Sequence, residues 1–305
     1  MQRALTAFLR EERGSTIVLA GMSMLFLLTV VGLVVDGGTM YAAKSHLQKT
    51  ANAAVLSGAQ ELTGQSAAVT TVIGSILAQH GEQGSLVRTD IVPQSSVRVT
   101  LRKEITLGFA RLLGKDKAVV TVEAAAGITP MASAAGAAPL GIDESIPLEY
   151  LKPYKLKVDS SGVESGYFGI LALGGPGATT YESNLKYGYP SEIKVGDIID
   201  TETGNVAGKT RDSINLRLEQ DLYPAGEYWR RDSTRVILIP VYRPYQFSSS
   251  QLKYIEVRGF AYFYILEPMS SKDTSITGMF IQRANTGFTA PGTIDKGAYA
   301  IRLIE

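Results

Sequence analysis

Four stretches of the sequence come close to known chemistry, and each falls short at a residue that chemistry needs. Gly204-Asn205-Val206-Ala207-Gly208-Lys209-Thr210 approaches a phosphate-binding loop. Such a loop wraps a phosphate with successive backbone amides and needs four residues between its glycines. Here there are three, so a glycine-rich turn is expected instead. Asp159-Ser160-Ser161-Gly162-Val163 approaches a D-x-S-x-S cation site, but Val163 has no oxygen to offer where a hard cation takes a ligand. Gly162-Val163-Glu164-Ser165-Gly166 is one residue out of step with a G-x-S-x-G nucleophile elbow. The only two histidines, His46 and His80, lie far upstream in a helical region, so no histidine base is expected beside Ser165. Asp197, Asp200 and Glu202 cluster with Glu192 near a turn and could hold calcium, although acids at a solvated strand end are commoner. No catalytic residue, cofactor or metal site is assigned on these grounds.

Composition agrees with a non-enzymatic reading. The 305 residues carry 30 Lys+Arg against 29 Asp+Glu, so no basic face for nucleic acid is implied. The absence of cysteine removes disulfides, thiolate metal sites and thiol catalysis together.

The strongest physical signal is Ile17–Val35, nineteen residues without a charge. A helix of that length covers about 28 Å at roughly 1.5 Å per residue, enough for a hydrocarbon core of about 30 Å. Cleaved signal sequences have shorter apolar runs that end at a small-x-small site, and none follows here. Arg3, Arg10 and Arg13 precede the span, and Lys44 and Lys49 follow it. The basic bias favours a cytoplasmic N-terminus and an extracytoplasmic remainder. The expected partner of this segment is the lipid bilayer of the cell membrane.

Helix formers continue past the span without proline. Ala43, Leu47, Ala51, Ala54 and Gly58 recur three to four residues apart, a stripe of small and apolar side chains that suits close helix packing. The stripe faces either the chain's own sheet or the helix of another subunit. Gly37 and Gly38 are expected to flex the junction between span and stalk. A second helix is expected over Ser66–His80. Period-two alternation at Val97, Val99 and Leu101, and the run Ala118–Glu123, read as strands. Between them TLGFARLL reads as a short helix closed by Gly114.

Arg13-Gly14, the apolar span, Asp36, Tyr41, Leu47-Gln48 and the alanines from Ala51 to Ala59 resemble the TadE/TadG-like family of Flp (tight-adherence) pilus-assembly proteins. The stretch VRVTLRKEITLGFARLLGKDKAVVTVEAAAG is similar to the family's strand–FARLLG–strand ending, so the resemblance spans roughly residues 10–128. Prepilins of the Flp type are cut after a glycine with glutamate five residues later. The fifth residue after Gly14 is Leu19, so the chain reads as an uncleaved anchor. The resemblance implies a structural or assembly component of a Tad pilus or secretion apparatus, with other subunits of that apparatus as partners.

Residues 124–139 are dominated by alanine, glycine and proline and read as a flexible link. Fourteen of fifteen tyrosines and the only tryptophan, Trp229, come after residue 147. Strands are expected at Tyr167–Leu173, Glu192–Asp200, Arg235–Tyr242, Tyr254–Leu266, Ile276–Gln282 and Tyr299–Ile304, with Val236–Pro240 central. Simple alternation in Tyr254–Leu266 puts Ile255, Val257, Ala261, Phe263 and Ile265 on one face. It puts Tyr254, Tyr262 and Tyr264 on the other, an exposed face for cell wall or another ligand. The expected fold class is therefore α+β. A cytoplasmic tail (1–16) leads to a transmembrane helix (17–35), then a pilin-like helix with a few strands (36–128). A linker (129–147) joins these to a mainly β extracytoplasmic domain (148–305). The alternative function is that of a membrane-tethered binding module.

Overall fold

The proline-free run of helix formers makes one helix, α1 (Glu12–Ala59), about 70 Å long. The computed structural model describes residues 12–157, 168–202, 206–248, 251–270 and 275–304. Gly37 and Gly38 continue α1 without a break. Inside its apolar half the Thr29 hydroxyl donates to the Leu25 carbonyl at 2.9 Å, which leaves no free donor on that side chain. After a short turn α2 (Ser66–Gln79) folds back and buries Val69, Ile73 and Leu77.

Strands β1 (Leu86–Val92), β2 (Ser96–Thr106) and β3 (Lys117–Ala134) form an antiparallel meander, with a 3₁₀ turn at Ala110–Leu113 between the last two. Val97, Val99 and Leu101 point inward, as their spacing predicts. The expected flexible link is a correction: residues up to Ala134 continue β3, and most of them are buried. Their side chains are small because other strands crowd them. The end of β3 pairs with two short strands of the distant sequence, and the chain beyond it enters the second sheet at once.

The remaining elements are β4 (Leu140–Asp143), β5 (Pro153–Lys157), β6 (Phe168–Ile170), α3 (Ala178–Tyr187), β7 (Ile193–Lys194), β8 (Ile198–Asp200) and α4 (Ala207–Glu219). They are followed by β9 (Val236–Ser248), β10 (Gln251–Ile265), β11 (Ser275–Ile281), β12 (Arg283–Asn285), β13 (Phe288–Thr289) and β14 (Ala298–Ile304). The mainly β character holds, with α3 and α4 as additions that the sequence reading lacked.

Two sheets result. The first runs β1-β2-β3-β14-β12, and the second runs β5-β11-β10-β9-β4-β6. Strand β9, which holds the apolar run Val236–Pro240, is internal as expected. The division at residues 129–147 is not a division of the sheets, because β14 pairs along β3, from Tyr299 opposite Pro130 to Ile304 opposite Ala125. Three cores follow. The first lies between α1, α2 and the first sheet. The third lies between the two sheets, and the second between the second sheet and α3 with α4. The layers are thus helix, sheet, sheet, helix. Arg231 ties the far ends together, donating to the Gln60 carbonyl (2.6 Å), Glu61 Oε1 (3.0 Å) and the Ala284 carbonyl (3.2 Å).

Candidate functional site

Helix α1 has two environments. From Ile17 to Val35 its large side chains stand exposed on nearly every side, as at Leu25 (67% exposed). It is the one helix among the described residues with the length and composition of a single-pass membrane anchor. From Leu47 onward the stripe turns inward. Leu47, Ala51, Ala54 and Gly58 are buried and Ala43 is half-buried. All but Gly58 belong to the core formed with the first sheet and α2. A Cβ added to Gly58 would come within 2.9 Å of Ile73, so the glycine sets how closely α2 approaches. Of the two partners considered for the stripe, the structure supplies the chain's own sheet and second helix. Leu47, Ala51, Ala54 and Gly58 are thereby covered within the chain, while Ala43 stays half-buried.

Between the two environments lies a junction that the sequence did not announce. The Asp36 carboxylate accepts backbone N–H bonds from Gly108 (2.8 Å), Phe109 (2.9 Å) and Ala110 (2.6 Å). These amides open the 3₁₀ turn Ala110–Leu113 and would otherwise lack partners. One turn earlier on the same face of α1, Gly32 is buried under Phe109. A Cβ there would lie 2.4 Å from the phenyl ring. The turn closes at Gly114, whose φ of +81° favours glycine. Asp36 and FARLLG, two parts of the family-like pattern, therefore meet. No local signal gives this contact, because it joins residues more than seventy positions apart.

A second tie joins the segment just after α2 to the first sheet and to α1. Glu82, buried, accepts hydrogen bonds from Lys103 and from Ser85 Oγ (2.5 Å), with His46 Nε2 at 3.5 Å. Burial alone would raise this carboxyl, but the bonds from Lys103 and Ser85 hold it below the ordinary carboxylate range.

The tyrosine face is also corrected. Strand β10 carries a bulge between Val257 and Gly259, which shifts the alternation by one residue. Ile255 and Val257 consequently share a face with Phe260, Tyr262 and Tyr264 in the core between the sheets. Ala261, Phe263 and Ile265 face α3 and α4. Tyr262 (6% exposed) and Tyr264 (0%) cannot contact a ligand, and Tyr264 Oη accepts the Gly226 N–H inside the fold. Tyr254 alone is half-exposed.

The near-motifs resolve individually. Asp159–Gly166 and Gly204-Asn205 lie outside the described residues. Lys209 is in α4 and pairs with Glu182 at 2.6 Å, while Thr210 is buried against Tyr181 Oη at 2.8 Å. A shallow cleft of about 300 Å³ includes Glu192, Asp197 and Asp200 in its lining. The neighbouring acids have their own partners: Glu192 accepts from Ser133, Asp197 from the Lys194 N–H, and Glu202 from the Gly177 N–H. Among the described residues no group of three such side chains is placed to hold a metal ion.

Comparison with known proteins agrees with the N-terminal geometry. Residues 14–61 match the Tad family model, described as "Putative Flp pilus-assembly TadE/G-like". Comparison with curated proteins and with solved structures gives no match. The matched segment takes in almost all of α1, its exposed half, Asp36 and its buried stripe. Over residues 14–61, therefore, the TadE/TadG-like resemblance read from the span, Asp36, Tyr41, Leu47-Gln48 and the alanines is borne out by the family match.

Proposed function

We propose that the chain is a membrane-anchored structural or assembly component of a Tad (Flp-type) pilus or secretion apparatus. The observation that carries this reading is that a TadE/G-like match coincides with one helix divided between an exposed apolar half and a half packed into the chain's own fold. The exposed half anchors in the cell membrane as a single pass. The N-terminus is cytoplasmic, and everything after Asp36 is extracytoplasmic. The work is mechanical: α1 holds two stacked sheets at a fixed station above the membrane, where they meet other subunits of the apparatus. With the Ala43–Gly58 stripe consumed internally, those subunits meet the exposed side of the span or the outer surface of the sheets.

Two measurements on native cells test this. The mature N-terminus, read by mass spectrometry, should be intact and found in the membrane fraction. Affinity capture of the full chain from solubilised membranes should recover Tad subunits. Recovery in the cytosol, or a deletion strain with undiminished pili and secretion, would overturn the proposal.

A further inference from the structure

The loop between β2 and β3 exposes an unusual set of side chains. Leu112 is 83% exposed and Leu113 63%, and Phe109 is also exposed beyond the edge that covers Gly32. A soluble surface rarely displays three large apolar side chains within five residues of a tight turn. Arg111, Lys115 and Lys117 accompany them; Arg111 lies 3.7 Å from Asp116 and Lys117 donates to Glu104 at 3.0 Å, so Lys115 is the loop cation without an acidic partner among the described residues.

The loop's position explains the composition. Phe109 lies on Gly32, inside the charge-free run, and Asp36 clamps the loop's backbone one turn later. If Ile17–Val35 fills the hydrocarbon, Gly32 lies only about 5 Å below its edge at roughly 1.5 Å per residue. The loop is therefore held at the level where acyl chains give way to headgroups. Exposed Tyr41, five residues past Asp36, adds an aromatic side chain of the kind that concentrates at that boundary.

We propose that residues 107–117 form a second membrane contact. Phe109, Leu112 and Leu113 enter the headgroup boundary of the leaflet on the C-terminal side of the span, and Lys115, flanked by the ion-paired Arg111 and Lys117, faces lipid phosphates. The occupant is lipid because the loop is continuous with the anchor and because Lys115 complements anionic headgroups. Asp36 serves this arrangement by consuming three amides that would otherwise be desolvated at the boundary. The inference rests on the anchor reading above, and the test separates the two.

The chain lacks cysteine, so single cysteines can be introduced and labelled with bimane. Leu112→Cys, Leu113→Cys, Leu25→Cys in the span and Leu222→Cys as a water-exposed reference (86% exposed) place probes at exposed leucines. The full chain is reconstituted in phosphatidylcholine–phosphatidylglycerol vesicles, and circular dichroism checks its folding. Probes at 112 and 113 should be quenched by brominated acyl chains, as at 25, and should lose most of the iodide quenching seen at 222. Iodide quenching at 112 and 113 equal to that at 222, with 25 still lipid-quenched, would overturn the second contact and leave the anchor intact. Iodide quenching at 25 as well would overturn both. Protection at 112 and 113 from both quenchers would mean that protein covers the loop, and would also overturn it.

Discussion

Within α1 the backbone is one uninterrupted helix, yet its first half stands exposed while its second half is buried to zero exposure at Leu47, Ala51 and Ala54. The difference lies in how side chains are distributed around the cylinder. Ile17–Val35 carries bulky apolar groups on every side, which no single sheet could cover. After Asp36 the apolar groups shrink and gather on one stripe, with Lys44 and Lys49 away from it. A helix apolar all round asks for a solvent, whereas a one-sided helix asks for a partner. The same secondary structure therefore serves as an anchor and as a core element, and the change occurs between Asp36 and Leu47.

The largest break in this comparison should come from Leu47→Ala. It deletes buried methyl groups and should destabilise the fold by about 2–5 kcal/mol in denaturant unfolding of the full chain. Leu25→Ala, in the exposed half, should leave the same transition unchanged. Gly58→Leu should come next, at about 1–3 kcal/mol, because its side chain would overlap Ile73. Unchanged unfolding with failed assembly would instead return the stripe to a contact between subunits.

Legibility followed locality. The span, the stripe, α2 and strands β2, β9, β10, β11 and β14 are marked by their own periodicity. The continuation of β3 through GITPMASA is not, because small side chains that fit a crowded interior have the composition of a linker. Helices α3 and α4 are short and rich in polar residues, and α4 follows directly on a glycine-rich stretch that looks like a turn. In β10 the alternation is legible on either side of Val257, but the bulge is not, and one inserted residue moved Tyr262 and Tyr264 from the surface to the interior. The Asp36 junction joins two recognisable motifs through a contact that neither encodes alone.

A smaller effect sharpens the boundary between the two halves. Asp36→Ala should speed amide hydrogen exchange at Gly108, Phe109 and Ala110 and leave the α1 amides around Leu47 as protected as before. Equal acceleration at both places would mean that the junction and the packed half open together. The smallest effect should be the acid response at Glu82. Folding lowers this carboxyl, so the folded chain binds its proton less readily than the unfolded one. The stabilisation is present at neutral pH and fades as pH falls through the lowered value. Glu82→Gln should flatten that part of the acid limb in a series of unfolding curves, and an unaltered limb would remove Glu82 from the linkage.

Strand β14 adds a matter of timing. It completes the sheet that covers the inward stripe of α1, but it is made about 160 residues after β3 ends. At roughly 5–20 residues per second, the flank of β3 that β14 will occupy stays open for about 10–30 s of synthesis. The anchor is placed long before the domain it carries can close. A chain interrupted before residue 298 would keep its anchor and leave the β3 edge at Ala125–Pro130, near the far end of α1, unpaired.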